Sequence, residues 1–278
     1  MPIRLLPFLL AILLTPAACG TPAPAERKAN AEALADNMDA AYLPTQHFDL
    51  YSLSRAGDGP HELLVVYIEG DGLAWQRIGE ASPDPTPLNP TALKLALADT
   101  APAVAYLARP CQFTDPAHRR DCNPAFWTNQ RYGDEVVVAT GQALDILKQR
   151  SGARRLGLVG FSGGGAVALL TAARRGDVAW LKTVAAPLDT DAFTHHHRVT
   201  PLGDSLNPAD FGLTLARLPQ IHLSGADDRI VPPAISGAYM LRLPTHRCAT
   251  LRIMPDVGHH DGWENIWPAL AAEMPTCR

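Results

Sequence analysis

Short apolar segments alternate with longer helix-like segments from residue 47 to the end of the chain. Leu63–Ile68 is apolar at every position, which is typical of a strand covered on both faces. The other candidate strands are 47–54, 103–107, 156–159, 181–185, 221–223 and 250–254, and the candidate helices are 91–98, 132–150, 166–175, 235–243 and 263–274. This alternation predicts an α/β fold with a mostly parallel central sheet and helices on both faces.

Length and composition support one large domain of this kind. The chain has 278 residues, of which 47% are hydrophobic and 19% charged, so a sizeable core is expected. The formal net charge is −4, and no basic surplus is available to bind a phosphate backbone. We therefore expect no nucleic-acid partner.

The N-terminus has the order of regions found in a secretory signal. A cation at Arg4 precedes the apolar run Leu5–Leu14, which is too short to span a bilayer comfortably. Small residues then lead to Cys19. This segment resembles a bacterial lipobox, although Pro16 stands where leucine is usual. The resemblance implies a signal peptide over residues 1–18 and a lipid anchor on Cys19.

Such an anchor would hold the protein on the periplasmic side of the envelope, and Gly20 after the cysteine favours the outer membrane. Ordinary cleavage after Ala25, at Ala23-Pro24-Ala25, is the alternative and would discard Cys19. Residues 19–46 are predicted to form a tether and lead-in, with the Pro- and Ala-rich stretch from 20 to about 30 as the tether. The main domain is predicted over residues 47–278.

The most informative motif is G-x-S-x-G at Gly160–Gly164, between a predicted strand and a predicted helix. A sharp turn there forces the serine into a strained conformation and pushes its hydroxyl into a cleft. The amide of Gly163 then lies at a helix N-terminus, where it faces developing negative charge. Ser162 is therefore the predicted nucleophile.

A serine nucleophile needs a base, and the base needs an acid that orients it. Asp227 and Asp228 follow the strand at 221–223, and His259 and His260 follow the strand at 250–254. The order Ser, Asp, His, with each residue after a strand, is the order expected of α/β-hydrolases. The residues alone do not decide between Asp227 and Asp228 as the acid, or between His259 and His260 as the base.

The chain from residue 47 onward resembles the α/β-hydrolase superfamily, and especially a bacterial group of lipoprotein serine hydrolases. The segments that carry the resemblance are Tyr67-Ile68-Glu69-Gly70-Asp71-Gly72, Arg109-Pro110-Cys111, Gly160 to Gly165, and Asp228-Arg229-Ile230-Val231-Pro232-Pro233. The group's Gly-x-x-Asp-x-x-Val-Pro spacing favours Asp228. Its Gly-His pair, with tryptophan four residues after the histidine, favours His259.

The resemblance also places the second oxyanion donor in the loop after Leu63–Ile68. The predicted donor is the amide of Asp71, with Gly72 as the alternative. Many relatives have His-Gly at this point, so Glu69 is a departure. Because a backbone amide makes the contact, the changed side chain need not abolish it.

Four cysteines remain when Cys19 is set aside, and an oxidising compartment would pair them. Cys248 precedes the last strand, and Cys277 follows a helix that returns to the same edge of the sheet. Cys111 and Cys122 enclose a polar excursion at the opposite, carboxyl edge. Bonds between opposite edges exceed the reach of two Cβ atoms. The predicted pairs are therefore Cys111–Cys122 and Cys248–Cys277.

Together these patterns predict a serine hydrolase that cleaves an ester or related acyl bond of a small-molecule substrate, with no cofactor. The alternatives are a peptidase or amidase of the same fold, and a non-catalytic binding lipoprotein of the envelope. No metal site is expected at His195-His196-His197, because consecutive side chains diverge. Phe126 and Trp127 are predicted near the mouth of the cleft, where they would either bind an apolar group or serve as packing.

Overall fold

The computed structural model describes residues 21–278, so the predicted signal peptide and Cys19 lie outside the described residues. The helices and strands in chain order are α1 (Pro24–Leu34), β1 (Asp39–Pro44), β2 (Asp49–Ala56), β3 (Leu63–Ile68), β4 (Trp75–Arg77), β5 (Glu80–Ala81), α2 (Thr91–Leu97), β6 (Ala103–Leu107), α3 (Asp134–Ser151), β7 (Arg155–Phe161), α4 (Gly163–Ala172), β8 (Val178–Val184), α5 (Thr190–His197), β9 (Gln220–Gly225), α6 (Pro233–Arg242), β10 (Ala249–Met254) and α7 (Trp263–Ala272). Three short 3-10 turns lie at Pro116–His118, Pro124–Trp127 and Pro208–Phe211.

Eight strands of the described chain form one sheet in the order β1-β2-β6-β3-β7-β8-β9-β10. Strands β1 and β2 run antiparallel, and β2 is antiparallel to β6, whereas every pairing from β6 to β10 is parallel. Apolar side chains are buried on both faces of the sheet, in two large clusters. The predicted α/β architecture is confirmed, and the fully apolar β3 lies near the middle of the sheet.

The prediction that residues 20 to about 30 form a tether is wrong from residue 24 onward. Pro24 begins α1, and Ala31 of this helix is buried in the core. Arg27 is also buried, where it lies 3.6 Å from Asp84 and donates to the carbonyl of Thr86. An alanine-rich stretch suits a linker by composition, but alanine is also the best helix former.

The predicted start of the main domain at residue 47 is too late for the same reason. Strand β1 pairs with β2 over six residues, from Asp39 opposite Ser54 to Pro44 opposite Asp49. Its sequence contains two alanines and a proline, which give a weak strand pattern. The packed unit therefore begins with α1.

Two disulfide bonds close loops at opposite edges of the sheet. Cys111 pairs with Cys122 and Cys248 pairs with Cys277, and their Cα atoms are 5.7 and 4.0 Å apart. These are the pairs that the topology predicted. Each bond restricts the unfolded chain and contributes about 3 kcal/mol on a chain-entropy account. Within residues 21–278, no helix has the length and apolar character needed to cross a bilayer.

Candidate active site

Ser162 occupies a sharp turn between β7 and α4. Its backbone has φ 49° and ψ −127°, a strained conformation for a residue with a side chain. Two backbone hydrogen bonds hold it, because the Ser162 amide donates to Val184 O (2.8 Å) and the Gly165 amide donates to Ser162 O (2.9 Å). The strain of about 1–3 kcal/mol is therefore offset by the surrounding sheet.

The two outer glycines of the motif are required by close packing. A Cβ atom on Gly160 would overlap the backbone of Gly164, and a Cβ atom on Gly164 would overlap the carbonyl oxygens of Ile68 and Glu69. Packed backbone atoms cannot move aside cheaply. The missing side chains let α4 begin directly against the end of β3, which brings Ser162 beside the loop that follows β3.

Three of the predicted residues form a continuous hydrogen-bonded chain. Ser162 Oγ lies 3.0 Å from His259 Nε2, and His259 Nδ1 lies 2.8 Å from Asp228 Oδ2. Asp228 and His259 are both buried, whereas Ser162 is partly accessible. The carboxylate fixes the ring orientation, and the ring nitrogen on the other side faces the hydroxyl.

Backbone contacts hold the acid and the imidazole in position. Asp228 Oδ1 accepts hydrogen bonds from the amides of Ile230 and Val231, each at 2.8 Å, so only Oδ2 is directed at the histidine. Trp263 Nε1 donates to the carbonyls of Gly258 and His259, at 3.0 and 3.1 Å. The tryptophan that marked His259 in the sequence therefore anchors the backbone of the histidine loop.

Asp227 and His260, the other two candidates, are not directed at Ser162. Asp227 is exposed to solvent. His260 Nδ1 lies 3.0 Å from Thr91 Oγ1, at the start of α2. Burial lowers the pKa of His260, and the adjacent His259 lowers it further. The structure thus brings Asp228 and His259 to Ser162, and neither Asp227 nor His260.

Comparisons with solved structures identify the fold of this chain. An alpha-beta serine hydrolase homologue from Coxiella burnetii has a TM-score of 0.57 at 14% identity, covering 84% of this chain and 93% of that one. A serine hydrolase without a lid from Xanthomonas campestris scores 0.55 at 18% identity, covering 84% and 91%. The esterase domain of a Rhodothermus marinus protein scores 0.56 at 15% identity, covering 84% and 96%.

The chain has the α/β-hydrolase fold. At these identities the likeness concerns the fold alone. No family model matches the chain, and no curated protein matches it.

The two predicted oxyanion donors, Gly163 and Asp71, belong to segments that meet beside Ser162. Gly163 is the first residue of α4, and Asp71 lies in the loop after β3. Asp71 packs against Gly163 so closely that a Cβ atom on the glycine would overlap the Asp71 carboxylate. Within residues 21–278, neither amide donates a hydrogen bond to another protein group. Gly72, the alternative donor, has φ +66° and packs against Pro85, which explains why it is glycine.

The Asp71 side chain belongs to a charged cluster that the sequence did not reveal. Its carboxylate accepts from Arg109 Nη1 (3.2 Å), Arg131 Nη1 (2.9 Å) and the Tyr132 hydroxyl (3.2 Å). Burial opposes ionisation of Asp71, but Arg131 and Arg109 outweigh it and hold the pKa below its usual value. Two guanidinium groups for one carboxylate leave a net positive charge next to the two amides, which favours an oxyanion there.

Glu69 links the loop that carries Asp71 to the first turn of α2. Its Oε1 accepts from the amide of Gly70 (2.8 Å) and, at 3.4 Å, from that of Ala92 in the first turn of α2. Oε2 is buried without a hydrogen-bond partner in the described structure. Burial raises the pKa of Glu69 to about 7. The carboxyl group therefore stabilises the loop through these two backbone contacts.

This burial predicts a pH-dependent stability. An unfolded glutamate titrates near 4.5, so between pH 4.5 and 7 the folded protein binds more protons at Glu69 than the unfolded chain does. The contribution is fully present below pH 4.5 and is lost as the pH rises through 7, a change of about 3 kcal/mol. Glu69→Gln removes this dependence, so urea unfolding of the variant should show a flatter stability curve between pH 5 and 8. Parallel curves for the two proteins would show that Glu69 does not titrate in this range.

The cleft above Ser162 has a volume of about 610 Å³. It contains Ser162 and His259, and its walls include Arg131, Phe193 and Ile230. Trp127, predicted near the cleft mouth, is instead buried in the core and donates to Ser82 O (3.0 Å). Phe126 packs edge-on against Phe48 (ring centroids 4.9 Å apart), so neither aromatic residue lines the cleft.

The three consecutive histidines form the last turn of α5. His197 donates from Nε2 to the carbonyl of Ile230 (2.7 Å), next to the loop that carries Asp228. Within the described part of the chain, no group of three or more His, Cys, Asp and Glu side chains has the arrangement of a metal site.

Proposed function

We propose that this chain is a serine hydrolase that cleaves carboxylic esters by a two-step acyl transfer. The observation that carries the proposal is the chain of contacts from Asp228 through His259 to Ser162, at a strained turn beside two unpaired amides. Nucleophile, base and orienting acid in this geometry are the parts that acyl transfer requires.

In the first step, the Ser162 hydroxyl attacks the ester carbonyl while His259 Nε2 takes its proton. The amides of Gly163 and Asp71 hold the oxyanion, and the surplus positive charge around Asp71 favours it further. His259 then returns the proton to the leaving alcohol, and an acyl-enzyme remains on Ser162. His259 deprotonates a water molecule as it attacks the acyl group, and the imidazolium then returns that proton to Ser162 Oγ as the acyl–oxygen bond breaks and the acid leaves. Asp228 orients the imidazole and stabilises its protonated form.

Esters are proposed rather than amides because the alkoxide of an ester is a better leaving group than the nitrogen of an amide. A triad with two oxyanion donors suffices for ester cleavage. The test compares a 4-nitrophenyl ester with the 4-nitroanilide of the same short acid, using the full mature protein. We expect kcat/KM for the ester to exceed that for the anilide by at least about a hundredfold. An anilide turned over equally well would favour the peptidase or amidase alternative. If neither compound is hydrolysed, the non-catalytic binding lipoprotein becomes the better account.

We further propose that the protein works outside the cytoplasm, held by a lipid on Cys19. The two disulfides suit an oxidising compartment. Cys19→Ser is expected to move the protein from the membrane fraction to the soluble periplasmic fraction, measured by fractionation of the natural host or a Gram-negative host. A mutant that stays membrane-bound would contradict lipidation, and a soluble wild-type protein would favour cleavage after Ala25.

A further inference from the structure

A second depression continues from the cleft above Ser162 across the surface of the molecule. This groove has a volume of about 940 Å³ and shares Trp75, Arg131, Phe193 and Ile230 with the cleft. One wall comes from the β4–β5 hairpin, and the other comes from α5 and the residues after it. Each depression has the volume of about 300–1,000 Å³ that is typical of a small-molecule site, and their shared residues make them neighbours.

Exposed apolar side chains concentrate along this path. Ten large hydrophobic residues are exposed among residues 21–278, and five of them line the cleft or the groove. These five are Trp75, Ile78, Leu88, Val199 and Ile230. Ile78 at the hairpin tip is fully exposed, and Val199 is about half exposed. Apolar side chains that cluster in solvent usually mark a ligand-binding groove or an interaction surface.

The charged side chains along the groove have one sign. Its lining includes Arg131, Arg198 and Arg229 but no aspartate or glutamate. Arg131 is paired with Asp71, whereas Arg198 and Arg229 are exposed and form no ion pair within the described chain. A groove with an apolar floor and unpaired cations is complementary to a molecule that has an apolar chain and an anionic group.

We propose that the substrate of Ser162 is an anionic lipid-like ester whose long acyl chain lies in this groove. The proposal rests on the esterase function proposed above and names its substrate class. The ester carbonyl sits at Ser162, and the acyl chain passes Phe193 and extends between Ile78 and Val199. The anionic headgroup leaves the ester on its alcohol side and folds back along the same groove, where it pairs with Arg198 and Arg229. Each methylene that leaves water is expected to raise kcat/KM by up to about fourfold.

Chain-length dependence tests the apolar part of the groove. Hydrolysis of 4-nitrophenyl acetate and decanoate is measured below micellar concentrations. Wild-type kcat/KM should be at least about a hundredfold higher for the decanoate. The double variant Ile78→Asn/Val199→Asn should lose about tenfold or more on the decanoate and stay within about twofold on the acetate. The matched variant Leu213→Asn/Leu241→Asn exchanges exposed residues outside the groove and should retain both activities.

Headgroup charge tests the cations. Lauroyl lysophosphatidylglycerol should be hydrolysed at least about fivefold more efficiently than the choline lipid with the same chain. Arg198→Gln/Arg229→Gln should abolish this preference and leave acetate turnover intact, whereas Arg150→Gln/Arg154→Gln, on a different surface, should retain it. Acetate hydrolysis without a preference for chain length or for the anionic lipid would overturn this proposal and leave the esterase function standing. Loss of all ester turnover would overturn both.

Discussion

Replacing Ser162 with alanine is expected to lower ester kcat by roughly four to six orders of magnitude. The hydroxyl is the proposed attacking group, and within the described residues no other side-chain hydroxyl is hydrogen-bonded to His259. The fold should persist, because the only side-chain hydrogen bond of Ser162 in the described structure is the one to His259 (3.0 Å). Alanine also keeps the Cβ atom that already tolerates the positive φ.

Burst and steady-state kinetics with a 4-nitrophenyl ester measure this effect, and circular dichroism and thermal unfolding serve as the folding control. A folded Ser162→Ala protein with at least a tenth of the wild-type rate would contradict the proposed mechanism.

The second large effect on kcat is expected from substitutions at Asp228 and His259, compared with their neighbours Asp227 and His260. His259→Ala should reduce kcat by about four orders of magnitude or more, whereas His260→Ala should stay within about tenfold, because His260 contacts Thr91 and not Ser162. Each variant is the matched control of the other, since both remove an imidazole from the same loop.

Asp228→Asn should cost about three to four orders of magnitude, because an amide group facing Nδ1 favours the wrong tautomer of the imidazole. Asp227→Asn, on the exposed neighbour, should be nearly neutral. The reverse ranking within either pair, measured as kcat/KM on one ester at constant pH, would move the triad to the other residues while keeping the reaction class.

Much of the central sheet was predictable, because a strand buried on both faces must be apolar throughout. Leu63–Ile68 is such a strand, and its predicted bounds are those of β3. Helix α4 begins three residues earlier than the apolar pattern indicated, because its first turn is Gly163-Gly164-Gly165. Glycine is a poor helix former, so propensity points away from a helix where tertiary packing requires one.

The first helix and the first strand, α1 and β1, were harder to predict. In α1 and β1 the sequence is rich in alanine, and its periodicity is weak. Packing against the rest of the chain decides these elements, as the buried contact of Arg27 with Asp84 shows. Such contacts between distant segments leave no local pattern.

Within the site, residues could be predicted where they belong to a motif or follow a fixed order along the chain. Ser162, Asp228 and His259 each follow a strand, and parallel strands bring their carboxyl ends to one edge. Arg131 and Tyr132 belong to no motif and do not follow a strand, because they reach Asp71 from a loop before α3. They could therefore not be predicted from the sequence. An arginine followed by a tyrosine in a loop is common, and only the fold shows that both contact Asp71.

The most direct test of the central claim is to locate the covalent adduct of a fluorophosphonate probe. Only a serine activated by a base and an oxyanion site reacts rapidly with this reagent. Intact-mass and peptide mass spectrometry of the folded protein should show one adduct, on Ser162, with none in protein unfolded beforehand or in His259→Ala. Folded protein that remains unlabelled, or an adduct on a different residue, would contradict the account.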